Sequence, residues 1–195
     1  MPLGILLAAG GGTRMGRPKA LVHDELGRSW LAHTAGTLVG AGCARVLVVL
    51  GAELSAARAL LPSDPRFAVV EVDDWRSGLS ASLAAGLRAA QKTDATAVVI
   101  TLVDLPGLPV AVITRMLAEI AADPATTLCQ ASYRGDPGHP VVIGRQHWTP
   151  LIDILAGDTG GRSYLLGHGV VAVECGDLWH GRDVDSYPAS APSPA

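Results

Sequence analysis

Three cations, Arg14, Arg17 and Lys19, close a segment that reads LGILLAAGGGTRMGRPK from Leu3 to Lys19. Gly10, Gly11 and Gly12 let the backbone turn sharply and bring its N–H groups near a ligand. Oriented N–H groups beside cations make a site for a polyphosphate. A second loaded segment is TLVDLP, residues 101–106. Its Asp104 ends an apolar run, where a carboxylate is poorly solvated unless a cation sits on it. Mg²⁺ takes oxygen ligands from one or two carboxylates plus substrate phosphates. The competing reading is an aspartate that caps the next helix. Pro106 and Pro109 separate Asp104 from a helix expected to begin near Val110, which weakens that reading.

Three further groups carry chemistry. In RDVDSYP, residues 182–188, Asp183 and Asp185 alternate, so an extended chain points both the same way. They could complete a Mg²⁺ site or merely form a closing turn. In DWRSGLSASL, residues 74–83, Ser80 and Ser82 can cap a helix whose N-terminus faces a cleft. His139, between Gly138 and Pro140, is expected in a constrained, exposed turn with a binding role. Arg162, in GDTGGR over residues 157–162, could pair with a phosphate.

The glycine loop matches neither common phosphate fingerprint. Gly11 and Gly16 have the P-loop spacing, but Arg17 stands where the lysine should be. Gly10 and Gly12 begin a dinucleotide pattern, but Met15 takes the place of its last glycine. A dinucleotide-binding reductase is disfavoured on that ground. The bland alternative is a mobile loop with a solvated basic patch.

The elements that must hold these residues alternate along the chain. Apolar runs predict strands at Leu3–Ala8, Arg45–Leu50, Phe67–Val72 and Ala97–Leu102. Helical spacing covers Trp30–Gly40, Leu54–Leu61, Ser80–Gln91 and Val110–Ala122, the last with Val112, Met116, Leu117 and Ile120 on one face. Shorter strands follow at Thr127–Ser132, Pro140–Ile143 and Val170–Cys175. This rhythm predicts an α/β fold with a mostly parallel sheet covered on both faces and an antiparallel strand in the second half. The glycine loop and Asp104 then both fall at carboxyl ends of strands, where open sheets bind ligands.

At 195 residues and 49% hydrophobic residues, one domain with a real core is expected over residues 1–187. PASAPSPA, residues 188–195, reads as a flexible tail. A net charge of −3 without a long basic run disfavours nucleic acid. No apolar stretch is long enough for a membrane span or shaped as a signal peptide. Cys43, Cys129 and Cys175 lack metal spacing and read as buried reduced thiols, so cytoplasm is the expected location.

The glycine segment resembles the signature of MobA-like nucleotidyltransferases, which share a three-layer Rossmann-like fold with sugar-nucleotide and isoprenoid cytidylyltransferases. LAAG followed by RMGRPK is closer to the molybdenum cofactor cytidylyltransferase branch; the guanylyltransferase branch usually reads LAGG there. The resemblance implies that Leu7, Ala8, Ala9, Gly10, Gly11, Gly12 and Thr13 bind the nucleotide, with the backbone of Leu7 to Gly10 near the base. Arg14 and Lys19 would neutralise the triphosphate. Gly78 and Ser80 would line the base and ribose. Asp104, in the family's D-x-P, and Asp185 would bind Mg²⁺. His139 and Arg162 would lie on the acceptor side. After Asp185 the match decays, because Ser186 and Tyr187 replace the usual threonine.

The implied reaction moves CMP from CTP onto the phosphate of molybdopterin or its molybdenum-loaded form and releases pyrophosphate. Transient contact with molybdoenzymes would follow. The alternatives are a sugar phosphate or other small phosphorylated acceptor, GTP as donor, or a binding protein that delivers the cofactor without chemistry.

Overall fold

A run of apolar residues such as LGILL can be buried on both faces only inside a covered sheet. β1 (Leu3–Leu7) is buried at every position. The computed structural model describes residues 2–13, 15–120 and 123–184. Arg14, Asp185 and the tail over residues 188–195 lie outside the described residues.

After β1 come α1 (Trp30–Gly40), β2 (Arg45–Leu50), α2 (Leu54–Ala59), β3 (Phe67–Glu71), α3 (Leu79–Gln91), β4 (Ala97–Leu102) and α4 (Val110–Ala118). The second half adds β5 (Leu128–Tyr133), β6 (Asp136–Gly144), α5 (Trp148–Ile154), α6 (Arg162–Gly167) and β7 (Val171–Glu174). The seven strands form one sheet in the order β3-β2-β1-β4-β6-β5-β7. Among the described strands, only β6 runs against its neighbours: it pairs antiparallel with β4 and β5, and the remaining pairs are parallel.

Alternate residues of each central strand serve two cores. Leu6, Val46, Val48 and Val99 pack with Leu31 and Leu38 of α1 and with Val112, Ile113 and Met116 of α4. Ile5, Leu47, Val98 and Ile100 pack with Leu83 and Leu87 of α3, Leu151 of α5 and Leu165 of α6. The result is a three-layer α/β/α fold. Gly86 of α3 permits the close approach of helix to sheet, since a Cβ there would lie 3.0 Å from Ile5.

The sequence did not predict α5 and α6. α5 carries Pro150 in its first turn and α6 runs from the N-cap Gly161 to Gly167, so both read as broken by turn residues. Tertiary contacts hold them instead: Trp148 is fully buried and its indole N–H donates to the carbonyl of Ile143 at 2.9 Å. The strand expected at Pro140–Ile143 is longer, and its first residues include the G-H-P segment. His139 therefore sits within a strand, not in a turn. Tight turning is done by Arg134 and Gly135, both at positive φ.

Among the described residues, no helix is long and apolar enough to cross a membrane. The three cysteines are free and buried.

Candidate functional site

β2 pairs with one side of β1 and β4 with the other, so the chain reverses its winding between β1 and β4. A crevice opens at the carboxyl ends of such a pair. The glycine loop leaves β1 there and Asp104 follows β4. A cavity of about 470 Å³ lies between them, lined by Gly10 to Thr13, Lys19, Asp104 and Asp158.

The loop's shape depends on two glycines. Gly12 has φ +63°, and a Cβ on it would overlap the carbonyl of Arg17, so the loop doubles back on itself. A Cβ on Gly11 would lie 2.9 Å from the ring of Trp75. Among the described residues, the N–H groups of Gly10, Gly11, Gly12 and Thr13 have no backbone acceptor. Residues just before them are committed to the sheet. Ala8 donates to Val49 O at 3.0 Å, the carbonyl of Leu7 accepts from Val103 at 3.1 Å, and that of Ala9 accepts from Ala52 at 3.0 Å. These particular groups of Leu7, Ala8 and Ala9 are spent on the fold, which leaves the glycines as the exposed donors of the loop.

Lys19 starts a short 3-10 turn anchored by the fully buried Ala20. Its ammonium donates to Asp104 Oδ2 at 2.8 Å, and the two side chains are only 17% and 16% exposed. The other oxygen, Asp104 Oδ1, is buried and has no hydrogen-bond partner among the described residues. The carbonyl of Asp104 accepts from the N–H of Val184 at 2.9 Å. This bond brings the chain around the exposed Asp183 back to the crevice. Asp185, the second expected metal ligand, and Arg14, the expected phosphate cation, lie outside the described residues.

Ser80 and Ser82 do not cap α3. The helix begins at Leu79, its N-cap is Gly78, and no side chain within the segment caps it. Ser80 is buried in the first turn, and its hydroxyl has no partner among the described residues. The orphan N–H groups of the helix are satisfied from elsewhere. Leu79 N–H donates to Asp158 Oδ1 at 3.2 Å and Ser80 N–H to the carbonyl of Gly157 at 3.0 Å. Gly78, at φ +104°, allows this contact, because a Cβ would overlap Asp158 and come within 2.7 Å of Gly157 O.

A second cavity of about 230 Å³ adjoins the first. Its walls are mostly aliphatic, including Leu7, Leu83, Ile100, Val141 and Leu165, and its polar side chains include Gln130, His139 and Arg162. His139 and Arg162, distant in sequence, thus meet in one place. His139 is partly buried. Desolvation holds its imidazole below the usual pKa, although the carboxylates of Asp104 and Asp183 pull the other way. Its carbonyl accepts from the Tyr133 hydroxyl at 2.7 Å, and the Tyr133 ring meets Trp179 edge-on with centroids 5.6 Å apart.

Sequence reasoning missed Asp158 and Trp75. Asp158 lay within the GDTGGR segment, but its partner Leu79 is 79 positions away. Trp75 followed Asp74 in a segment read for its serines. Its ring packs so closely on Gly11 and Gly51 that neither could carry a side chain.

The sequence profile of the MobA-like NTP transferase domain matches residues 4–172. A curated relative, nicotine blue oxidoreductase of Paenarthrobacter nicotinovorans, is 34% identical over 190 residues, which is 94% of this chain and 91% of that protein. The crystal structure of Rv0371c from Mycobacterium tuberculosis H37Rv is similar at 30% identity with a TM-score of 0.75, covering 94% of this chain and 92% of that one. Its complex with manganese aligns at 29% identity and a TM-score of 0.69, covering 89% and 87%. A nucleotidyl transferase from Methanothermobacter shares the fold at a TM-score of 0.78 and 22% identity, covering 96% of this chain and 93% of that one.

Proposed function

The chain belongs to the MobA-like NTP transferase family, and from that premise we propose that it transfers CMP from CTP to the phosphate of molybdopterin or molybdenum cofactor. The observation that carries this reading is the Lys19–Asp104 pair beside the glycine loop, with one buried oxygen of Asp104 unpartnered among the described residues. A hard divalent cation suits such an oxygen, and the manganese complex of the Rv0371c structure is consistent with one.

Asp104, joined by Asp185, would hold Mg²⁺. Among the described residues no three His, Cys, Asp or Glu side chains gather as a metal site. Such an ion would therefore draw further ligands from substrate oxygens, as Mg²⁺ commonly does. When bound, it neutralises phosphate charge.

The glycine N–H groups from Gly10 to Thr13 would cradle the triphosphate, with Lys19 and Arg14 on the pyrophosphate as it leaves. Gly78 and Ser80 would line the base and ribose. An oxygen of the acceptor phosphate attacks the α-phosphorus, and the bond to the β-phosphate oxygen breaks, with its electron pair leaving on pyrophosphate. An ionised phosphate needs no general base, so the protein's task is positioning and charge. The adjoining cavity would take the acceptor's ring between aliphatic walls, with Arg162 on its phosphate and a neutral His139 on a ring heteroatom. A cytoplasmic location fits a nucleoside triphosphate donor and free cysteines.

The test is pyrophosphate release from each of the four nucleoside triphosphates with Mg²⁺ and molybdopterin. Release with CTP alone supports the reading, and release with GTP moves it to a guanylyltransferase. Release only with sugar phosphates changes the acceptor. Tight molybdopterin binding without pyrophosphate from any acceptor supports cofactor delivery.

The name of the 34%-identical relative favours a second reading, oxidoreduction of nicotine blue. The departure of the glycine loop from the dinucleotide fingerprint at Met15 weighs against it. Oxidation of NADH or NADPH by the purified protein with nicotine blue present would favour it.

A further inference from the structure

Asp158 lines the cleft that holds the glycine loop, Lys19 and Asp104, while Thr159 to Arg162 line the adjoining apolar cavity. One short loop thus borders both halves of the site. It is fastened to α3 at two points, the Leu79 N–H on the Asp158 carboxylate at 3.2 Å and the Ser80 N–H on the Gly157 carbonyl at 3.0 Å. Packing reinforces these bonds. A Cβ on Gly160 would lie 3.2 Å from the Leu79 side chain, and Gly78 could not carry one beneath Asp158. Leu79 itself is 38% exposed and lines the acceptor-side cavity with Gly160. Arg162 follows directly as the first residue of α6.

Asp158 shares the cavity with Asp104, whose charge Lys19 offsets. A carboxylate on the wall of a polyphosphate cleft is repelled by an arriving triphosphate. It is retained here by a backbone N–H at the positive end of a thirteen-residue helix. A bound triphosphate and the α3 cap therefore act on the same carboxylate in opposite directions.

Resting on the nucleotidyltransferase reading, we propose that Asp158 is a positioning residue that couples the two half-sites. With the donor absent it pins residues 157–162 to α3. A triphosphate on the glycine loop pushes the carboxylate off Leu79 and frees the loop, and the acceptor cavity bounded by Gly160 and Arg162 adjusts only then. Donor binding thereby precedes acceptor fitting.

Hydrogen exchange over residues 157–162, with and without CTP and Mg²⁺, tests this in the intact chain alongside the affinity for CTP. Wild type should exchange faster in this segment once CTP is bound. Asp158→Asn keeps an oxygen for Leu79 but loses the charge. Its loop should exchange like wild type without nucleotide and show no response to it, and it should bind CTP about fivefold more tightly. Asp158→Ala should exchange fast in both states. A purely structural cap would leave the asparagine variant and wild type alike in every measurement, which overturns the proposal. So does an unchanged or slowed loop in CTP-bound wild type, or weaker CTP binding by the asparagine variant. If no triphosphate binds wild type, the nucleotidyltransferase reading fails and takes this inference with it. Binding without a loop response overturns the inference alone.

Discussion

Lys19 and Asp104, 85 residues apart, meet at 2.8 Å where the first and fourth strands end side by side. Each side chain is more than four-fifths buried, so the ion pair replaces part of the water that burial removes. Lys19→Ala and Asp104→Ala should each reduce pyrophosphate release by about 100-fold or more. Each should also destabilise the fold by about 1–3 kcal/mol, because each breaks a partly buried ion pair. The double variant should be more stable than the sum of the two losses predicts. Denaturant melts of the three variants, with circular dichroism to confirm the fold, provide the cycle. Wild-type pyrophosphate release by Asp104→Ala would refute the assigned role.

Tyr133→Phe removes the hydroxyl that holds the carbonyl of His139 and leaves the ring against Trp179. One hydrogen bond of this kind contributes about 1 kcal/mol. The acceptor KM should rise about fivefold, while the CTP KM stays near wild type. An equal rise in both would mean that Tyr133 supports the fold as a whole and does not orient the acceptor side.

Gly78→Ala places a Cβ where φ is +104° and where Asp158 and Gly157 already sit. The strain should cost about 1–3 kcal/mol and lower Tm by about 3–10 °C for a chain of this size. Differential scanning calorimetry measures it. A Tm unchanged from wild type would show that the loop moves aside freely.

Glu174 ends β7 and organises the β5–β6 turn. Its carboxylate accepts from the N–H groups of Arg134, Gly135 and Gly176 and from the Ser132 hydroxyl. The Arg134 N–H and the Ser132 hydroxyl, with the other donors, hold its pKa down from the usual 4.5 to about 2. The folded pKa is lowered, so the unfolded chain binds more protons across that window. The stabilisation is complete above about 4.5 and is lost as pH falls through about 2. Tm measured from pH 5.5 down to about 2 should fall less steeply for Glu174→Gln than for wild type. Parallel slopes would contradict this account.

The alternation of strand and helix was legible because buried runs such as RVLVVL and AVVITL admit few alternatives. The glycine loop and Asp104 were legible because their chemistry is local: glycines turn a chain, and a carboxylate after a buried strand demands a cation. α5 and α6 were not, since Pro150 and the glycines at the ends of α6 read as breakers, and packing supplies their helical shape. The helix cap was misread for a related reason. Ser80 has the right type for a cap, but the Asp158 carboxylate takes the position from 79 residues away.

By itself, then, the sequence determined the layers of the fold and placed the glycine loop and Asp104 directly after their strands, because these depend on neighbours in the chain. Only the tertiary structure decided that His139 lies in a strand and shares a cavity with Arg162, and that the loop from Asp158 to Arg162 borders both cavities. Those relationships depend on which strand ends the sheet places side by side, and strand order is set by long-range pairing that no local pattern encodes.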